Sequence, residues 1–149
     1  MKRSLDALEI LLVEDNPHDA ELVIRVLRRR NLAHHLVHVP DGQAALDFLF
    51  GTGDHTGRDT RKQPKVVLLD LKLPKVDGID VLRRIRADER TKQVPVVVLT
   101  SSNEVRDISM AYQLGANSFI VKPVEFETFL DVIGDTGLYW LKTNVVSNT

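Results

Sequence analysis

Cysteine is absent from the 149 residues. That removes disulfide frameworks, thiol nucleophiles and Cys-ligated zinc or iron–sulfur sites together. An excess of charge is missing too: 20 Lys and Arg stand against 21 Asp and Glu. The counterion release that drives general DNA or RNA binding has little to act on, so no nucleic-acid partner is expected. Long apolar runs are also lacking. Stretches such as Ile10 to Val13 and Val96 to Leu99 fall far short of the roughly 20 residues a membrane helix needs. Met1-Lys2-Arg3 is basic, but Asp6 and Glu9 interrupt any signal-peptide core. The expectation is a cytoplasmic protein with no membrane partner. What is present, 43% hydrophobic and 28% charged residues, suits one globular domain spanning 1–149 that needs no staples.

Three β-branched runs, Ile10 to Val13, Val66 to Leu69 and Val94 to Leu99, show no alternation of polarity. Runs of this kind suit strands buried on both faces, as in a parallel sheet covered by helices. Leu36 to Val39 and Ser118 to Val121 complete five. Between them, Leu22, Val23, Val26 and Leu27 recur at helical spacing. So do Ala45, Leu46 and Leu49, then Val81, Leu82 and Ile85, then Ile108, Ala111 and Tyr112. Phe126, Phe129, Leu130 and Ile133 start a fifth helix expected over about 125–146, weakened by Gly134 and Gly137. Asn16-Pro17 reads as an N-cap followed by proline in the first helical position, and Asp77-Gly78 and Asn103-Glu104 open later helices. Strict alternation predicts an α/β doubly wound sandwich of three layers around a five-stranded parallel sheet, binding ligands beyond the carboxyl ends of the strands. Residues 51–64, with three glycines and no large apolar side chain, read as a long exposed loop.

The residues just after the strands are Glu14-Asp15, Asp70, Thr100-Ser101 and Lys122-Pro123. Carboxylates gathered without a cation repel, and a hard divalent ion bound through oxygen relieves the repulsion. Mg²⁺ fits such a site, and Asp70 then becomes a nucleophile towards phosphorus, with Lys122 and Thr100 placed to meet phosphoryl oxygens.

LLVEDN at 11–16, LLDLKLPKVDG at 68–78, VVLTSS at 97–102 and FIVKP at 119–123 together resemble the receiver domain of two-component response regulators. The likeness spans the whole chain, and only the interval from Glu14-Asp15 to Asp70, lengthened by the 51–64 loop, exceeds the usual spacing. The resemblance implies a flavodoxin-like (CheY-like) (βα)5 fold. It makes Asp70 the phosphoacceptor and Glu14, Asp15, Asp70 and the backbone carbonyl of Lys72 the Mg²⁺ ligands. Thr100 becomes the switch hydroxyl, Lys122 the partner of the phosphoryl group, Pro123 a cis-proline, and Phe119 the aromatic that follows phosphorylation. The donor it implies is a sensor histidine kinase. The surface that responds is that of the fourth helix, fifth strand and fifth helix.

Some positions stay open. The Lys72 side chain either reaches over the phosphoryl group or points to solvent. The histidines form no ligand pair, and Arg28-Arg29-Arg30 suits a helix C-terminus. A haloacid-dehalogenase-type phosphatase would place a second Asp where Lys72 stands, and a phosphorylation-independent scaffold would not need the full set of site residues. The chain ends 26 residues past Pro123, so no output domain is expected. Tyr139 and Trp140 are expected at an interface, either of a homodimer through the responding surface or C-terminal helix, or folded back on their own core. The tail and the 51–64 loop are similar to single-domain response regulators paired with bacterial phytochrome kinases.

Overall fold

Valine, isoleucine and leucine on both faces of the central strands demand a helical layer on each side, and the computed structural model provides both. It describes residues 10–32, 35–101, 103–122 and 126–140. Strands β1 (Ile10–Val13), β2 (Leu36–Val39), β3 (Val66–Leu69), β4 (Val96–Thr100) and β5 (Ser118–Val121) form one sheet in the order β2-β1-β3-β4-β5. Every pairing is parallel. Helices α1 (Pro17–Arg29), α2 (Gly42–Phe50), α3 (Gly78–Ala87), α4 (Val105–Gln113) and α5 (Phe126–Leu138) alternate with the strands as expected. No helix among the described residues is long and apolar enough to cross a membrane.

The alternation of side chains along each strand sorts the core into two halves. Ile10, Leu12, Val66, Leu68, Val97 and Leu99 pack with Ala20, Val23 and Leu27 of α1 and Ile133 of α5. Leu11, Val13, Val67, Leu69, Val96 and Val98 pack against α2, α3 and α4 through Leu46, Leu49, Val81, Leu82, Ile85 and Ala111. Each such aliphatic side chain contributes about 1.5–3 kcal/mol on leaving water. β4 begins two residues later than the apolar run because Pro95 has no N–H to give, although its carbonyl still accepts from Val67 N at 2.9 Å. The strand also runs one residue further, taking in Thr100.

The α1 start is as expected: Asn16 Oδ1 accepts from His18 N at 2.9 Å and Asp19 N at 3.1 Å, with Pro17 first in the helix. At the far end Arg30 reaches Asp135 of α5 at 2.9 Å. It lies over Gly134, where a Cβ would come within 2.4 Å of the Arg30 guanidinium carbon. Gly134 thus does not end the helix; it leaves room for the α1–α5 contact.

One expectation is refined and one is corrected. The 51–64 stretch is a surface loop, as expected, but not a featureless one. It contains a 3-10 turn at Gly53–His55, and the Arg58 guanidinium sits 4.0 Å over the Phe48 ring while donating to the carbonyls of Asp59 and Lys62. Gln63 Nε2 ties it to α2 through the Leu49 carbonyl at 3.1 Å. Trp140 does not face a partner: it is 8% exposed and joins the α1–α5 half of the core. Seven residues beyond Ile133, it falls two turns along the same buried stripe. Tyr139 is 48% exposed and meets the Trp140 ring edge-on at 5.1 Å. Pro123 and the helix expected through residues 141–146 lie outside the described residues.

The loop after β3 must turn back under the start of α3, and Gly78 permits it. Its N–H donates to Leu71 O at 2.9 Å, and a Cβ there would lie 2.3 Å from Asp70 O. Gly78→Ala should therefore destabilise the protein by about 2 kcal/mol through this overpacking, read as a lower urea midpoint with an unchanged slope.

Candidate functional site

In this strand order the chain leaves β1 for β2 on one side and returns past it to β3 on the other. That opens a crevice at the carboxyl ends of β1 and β3. Two backbone hydrogen bonds fix what enters it: Glu14 N donates to Val39 O and Asp70 N to Val13 O, both at 3.1 Å. Glu14, Asp15 and Asp70 thereby come together, with one ligand oxygen from each lying within 4.8 Å of the others. Glu14 and Asp70 are buried and Asp15 is exposed. A set of hard oxygen donors at this spacing suits Mg²⁺ or Mn²⁺, with room on the open side for water and a phosphate oxygen.

Lys122 closes the crevice from β5. Its backbone N donates to Thr100 O at 2.8 Å, so β4 sets where the side chain begins. Its ammonium reaches Glu14 Oε1 at 2.5 Å, Asp70 Oδ2 at 3.2 Å and Asp19 Oδ2 at 3.2 Å. The second oxygen of each buried carboxylate is also engaged: Glu14 Oε2 accepts from Asn16 N and Asp70 Oδ1 from Lys72 N, both at 3.2 Å. The Lys72 side chain is exposed, and its backbone stands beside the acceptor. Thr100 is fully buried at the end of β4. Phe119, opposite Val98 in the β4–β5 register, is half-buried against the α2–α4 half of the core. Glu14, Asp15, Asp70 and Lys122 meet here, Thr100 stands at the end of the neighbouring strand β4, and Pro123 lies outside the described residues.

Electrostatics follow from the crowding. Burial, with the Asp70 charge adding to it, pushes the Glu14 carboxyl up from 4.5 to about 7 against the pull of Lys122. Burial works against the Lys122 ammonium, yet its bonds to Glu14 and the neighbouring carboxylates outweigh this and hold it above the ordinary lysine range.

Two contributors escaped the sequence reading. Asp19 gives Lys122 its third carboxylate, and His38 Nε2 lies 2.8 Å from the Glu14 carbonyl. A carbonyl only accepts, so Nε2 carries the proton in this contact. Asp19 follows the Asn16 cap by three residues, which marks it as a helix-start carboxylate. Nothing local points from it to residue 122.

Residues 10–134 match the response regulator receiver domain family, and the chain belongs to it. It is 42% identical over 139 residues to the probable methanogenesis regulatory protein FilR2 of Methanothrix harundinacea, covering 93% of this chain and 87% of that one. It is 37% identical over 134 residues to the response regulator Rcp1 of Synechocystis sp., covering 90% of this chain and 89% of Rcp1. The crystal structure of the Mn(2+)-bound form of Rcp1 superposes with a TM-score of 0.87 at 35% identity, covering 94% of this chain and 99% of that one. The bacteriophytochrome response regulator RtBRR is 45% identical with a TM-score of 0.73, over 95% of this chain and 83% of its own. The chain is thus a receiver domain homologous to phytochrome-associated response regulators.

The raised Glu14 carboxyl has a measurable consequence. Between pH 4.5 and about 7 the folded protein keeps a proton on Glu14 that the unfolded chain has released. This group's contribution to stability is therefore present at low pH and lost as pH rises through that window. Glu14→Gln keeps the shape without the titration. Urea unfolding in EDTA should show the variant equal to wild type near pH 4.5 and more stable by about 1 kcal/mol above pH 7. A difference that grows as pH falls would show Glu14 to be charged throughout.

Proposed function

We propose that this receiver domain takes a phosphoryl group from the phosphohistidine of a sensor histidine kinase onto Asp70, in a reaction that depends on Mg²⁺. The observation that carries the reading is the seat of Asp70: at the end of central strand β3, beside two carboxylates able to share a divalent ion and within 3.2 Å of the Lys122 ammonium. An Asp70 oxygen attacks phosphorus in line. The P–N bond breaks with its electron pair passing to the imidazole nitrogen, and an acyl phosphate forms. A divalent ion held by Glu14, Asp15, Asp70 and the Lys72 carbonyl would supply charge against the phosphoryl oxygens. Lys122 meets one of those oxygens as negative charge builds, and Thr100 supplies a hydroxyl at the same strand edge. The receiver carries out its own transfer, and the kinase presents the donor in the cytoplasm.

The new group adds about 1.5–2 negative charges. Thr100 and Lys122 turn towards it, and Phe119 turns into the space that Thr100 and its loop vacate. The surface of α4, β5 and α5 then changes its affinity for partners, a second copy of this chain among them. Val105, Met110, Tyr112, Val121 and Tyr139 are exposed on these elements and their C-terminal edge, which supports the reading. The likeness to Rcp1 and RtBRR favours a phytochrome-type kinase as donor.

Acetyl phosphate and Phos-tag electrophoresis test the chemistry. Wild type should show a retarded band only with Mg²⁺, and Asp70→Asn should show none while keeping the wild-type fold by circular dichroism. Full labelling of Asp70→Asn would move the acceptor elsewhere. Light scattering on the same samples reads any phosphorylation-driven dimer.

A further inference from the structure

We infer that Asp19 is the positioning residue that keeps Lys122 at the acceptor while its other two carboxylate partners are taken up by the metal and the phosphoryl group. The inference rests on the phosphotransfer reading above. An ammonium has three N–H donors, and Lys122 spends them on Glu14, Asp19 and Asp70. Glu14 and Asp70 belong to the set of oxygens that can share an ion, and Asp70 is also the acceptor. Of the three, Asp19 alone stands outside that set. Once the ion and phosphoryl group arrive, it is the carboxylate still committed to the lysine.

The start of α1 explains why Asp19 is available. It occupies the third helical position after the Asn16 cap, where a carboxylate ordinarily turns back to accept the N–H of the cap residue. Here that N–H donates to Glu14 Oε2 at 3.2 Å, so the local role is filled. The Asp19 backbone is meanwhile pinned, its own N–H held by Asn16 Oδ1 at 3.1 Å. The carboxylate is thus free of its helix-start duty and directed to a residue 103 positions away. Its side chain is 30% exposed against 3% for Glu14 and 9% for Asp70, which places it at the rim of the crevice. A charge-assisted bond there restrains the end of a long flexible stem without occupying the space in which phosphorus must sit.

The test compares full-length wild type, Asp19→Ala, Asp19→Glu and Asp70→Asn. In the metal-free, unphosphorylated protein, the ¹H–¹⁵N signal of the Lys122 ammonium should be sharp in wild type. It should broaden through faster exchange with water in Asp19→Ala and recover in Asp19→Glu. With acetyl phosphate and saturating Mg²⁺, Asp19→Ala should accept phosphoryl about threefold to tenfold more slowly, and Asp19→Glu should regain at least half of that loss. The Mg²⁺ concentration for half-maximal rate should stay within about twofold of wild type, since Asp19 is not assigned to the ion. An Asp19→Ala protein with wild-type ammonium signal and wild-type rate would overturn the inference. So would a Mg²⁺ requirement raised tenfold with the saturating rate untouched, which would make Asp19 part of the metal site. A wild type that takes up no phosphoryl group at any Mg²⁺ concentration overturns the phosphotransfer reading and this inference with it, a pattern distinct from either of the others.

Discussion

One ammonium among four carboxylates organises this molecule. Glu14, Asp15, Asp19 and Asp70 stand at one edge of the sheet, and Lys122, arriving from the opposite end of the chain, bonds three of them. Without that cation, carboxylates buried this closely would repel and protonate. Burial is the larger cause of the raised Glu14 carboxyl, with the Asp70 charge adding to it and Lys122 offsetting part of both. A divalent ion would offset more, so the metal-free site is costly to stability and suited to binding one. Such a charge deficit is tolerable only where a rigid scaffold enforces it. Here strands β1 and β3 are held in register by Val13, Val39 and the ladder beneath them.

The strand order does the enforcing. Because β1 lies between β2 and β3, α1 and α2 depart to opposite faces and a crevice is left at its carboxyl end. The two halves of the core, one against α1 and α5 and the other against α2, α3 and α4, hold that crevice open from both sides. Gly78 shows how little slack exists: the chain beyond Asp70 folds back so tightly that a single methyl group would strike the Asp70 carbonyl. Tolerance of this kind is a property of close-packed interiors, which yield by discrete rearrangement and not by gradual give.

Much of this was legible in the chain itself, for identifiable reasons. Buried parallel strands lack alternation, so β1, β3 and β4 stood out as continuous apolar runs, and the residues next to them became the site. Contacts between distant segments were the hidden part. Asp19 looks from sequence like an ordinary helix-start acid, and its tie to Lys122 goes with Glu14 accepting the N–H of the Asn16 cap in its place. For Trp140 the sequence left an interface and its own core both open, because its partners, Ile133 in α5 and strands far upstream, are visible only once α5 docks on the sheet. The 51–64 stretch read as an exposed loop because glycine and charge suggest solvent, and all of it but Pro64 is exposed or half-buried. Its order comes from Arg58 stacking on Phe48 and from Gln63 reaching back to α2, pairings that composition does not encode.

The site and the surface proposed to respond share their supports, which on the proposed chemistry gives a change at Asp70 a route to travel. Phe119 lies on β5 and Lys122 directly follows it, and β5 pairs with β4 through Val98, Leu99 and Thr100. The Lys122 backbone bonds to Thr100 itself. On the proposed chemistry a phosphoryl group draws the Lys122 side chain and the Thr100 hydroxyl to one place, pulling at neighbouring positions of two paired strands. The sheet cannot stretch, since its interior residues are fully buried and tightly packed. The displacement must therefore emerge where packing is looser. Phe119 is only half-buried, and α4 beyond it carries exposed Val105, Met110 and Tyr112. On that same chemistry, a rotamer change at Phe119 would cost little core contact and would alter the floor beneath α4, converting a charge gained in the crevice into a new shape on the face that partners can read.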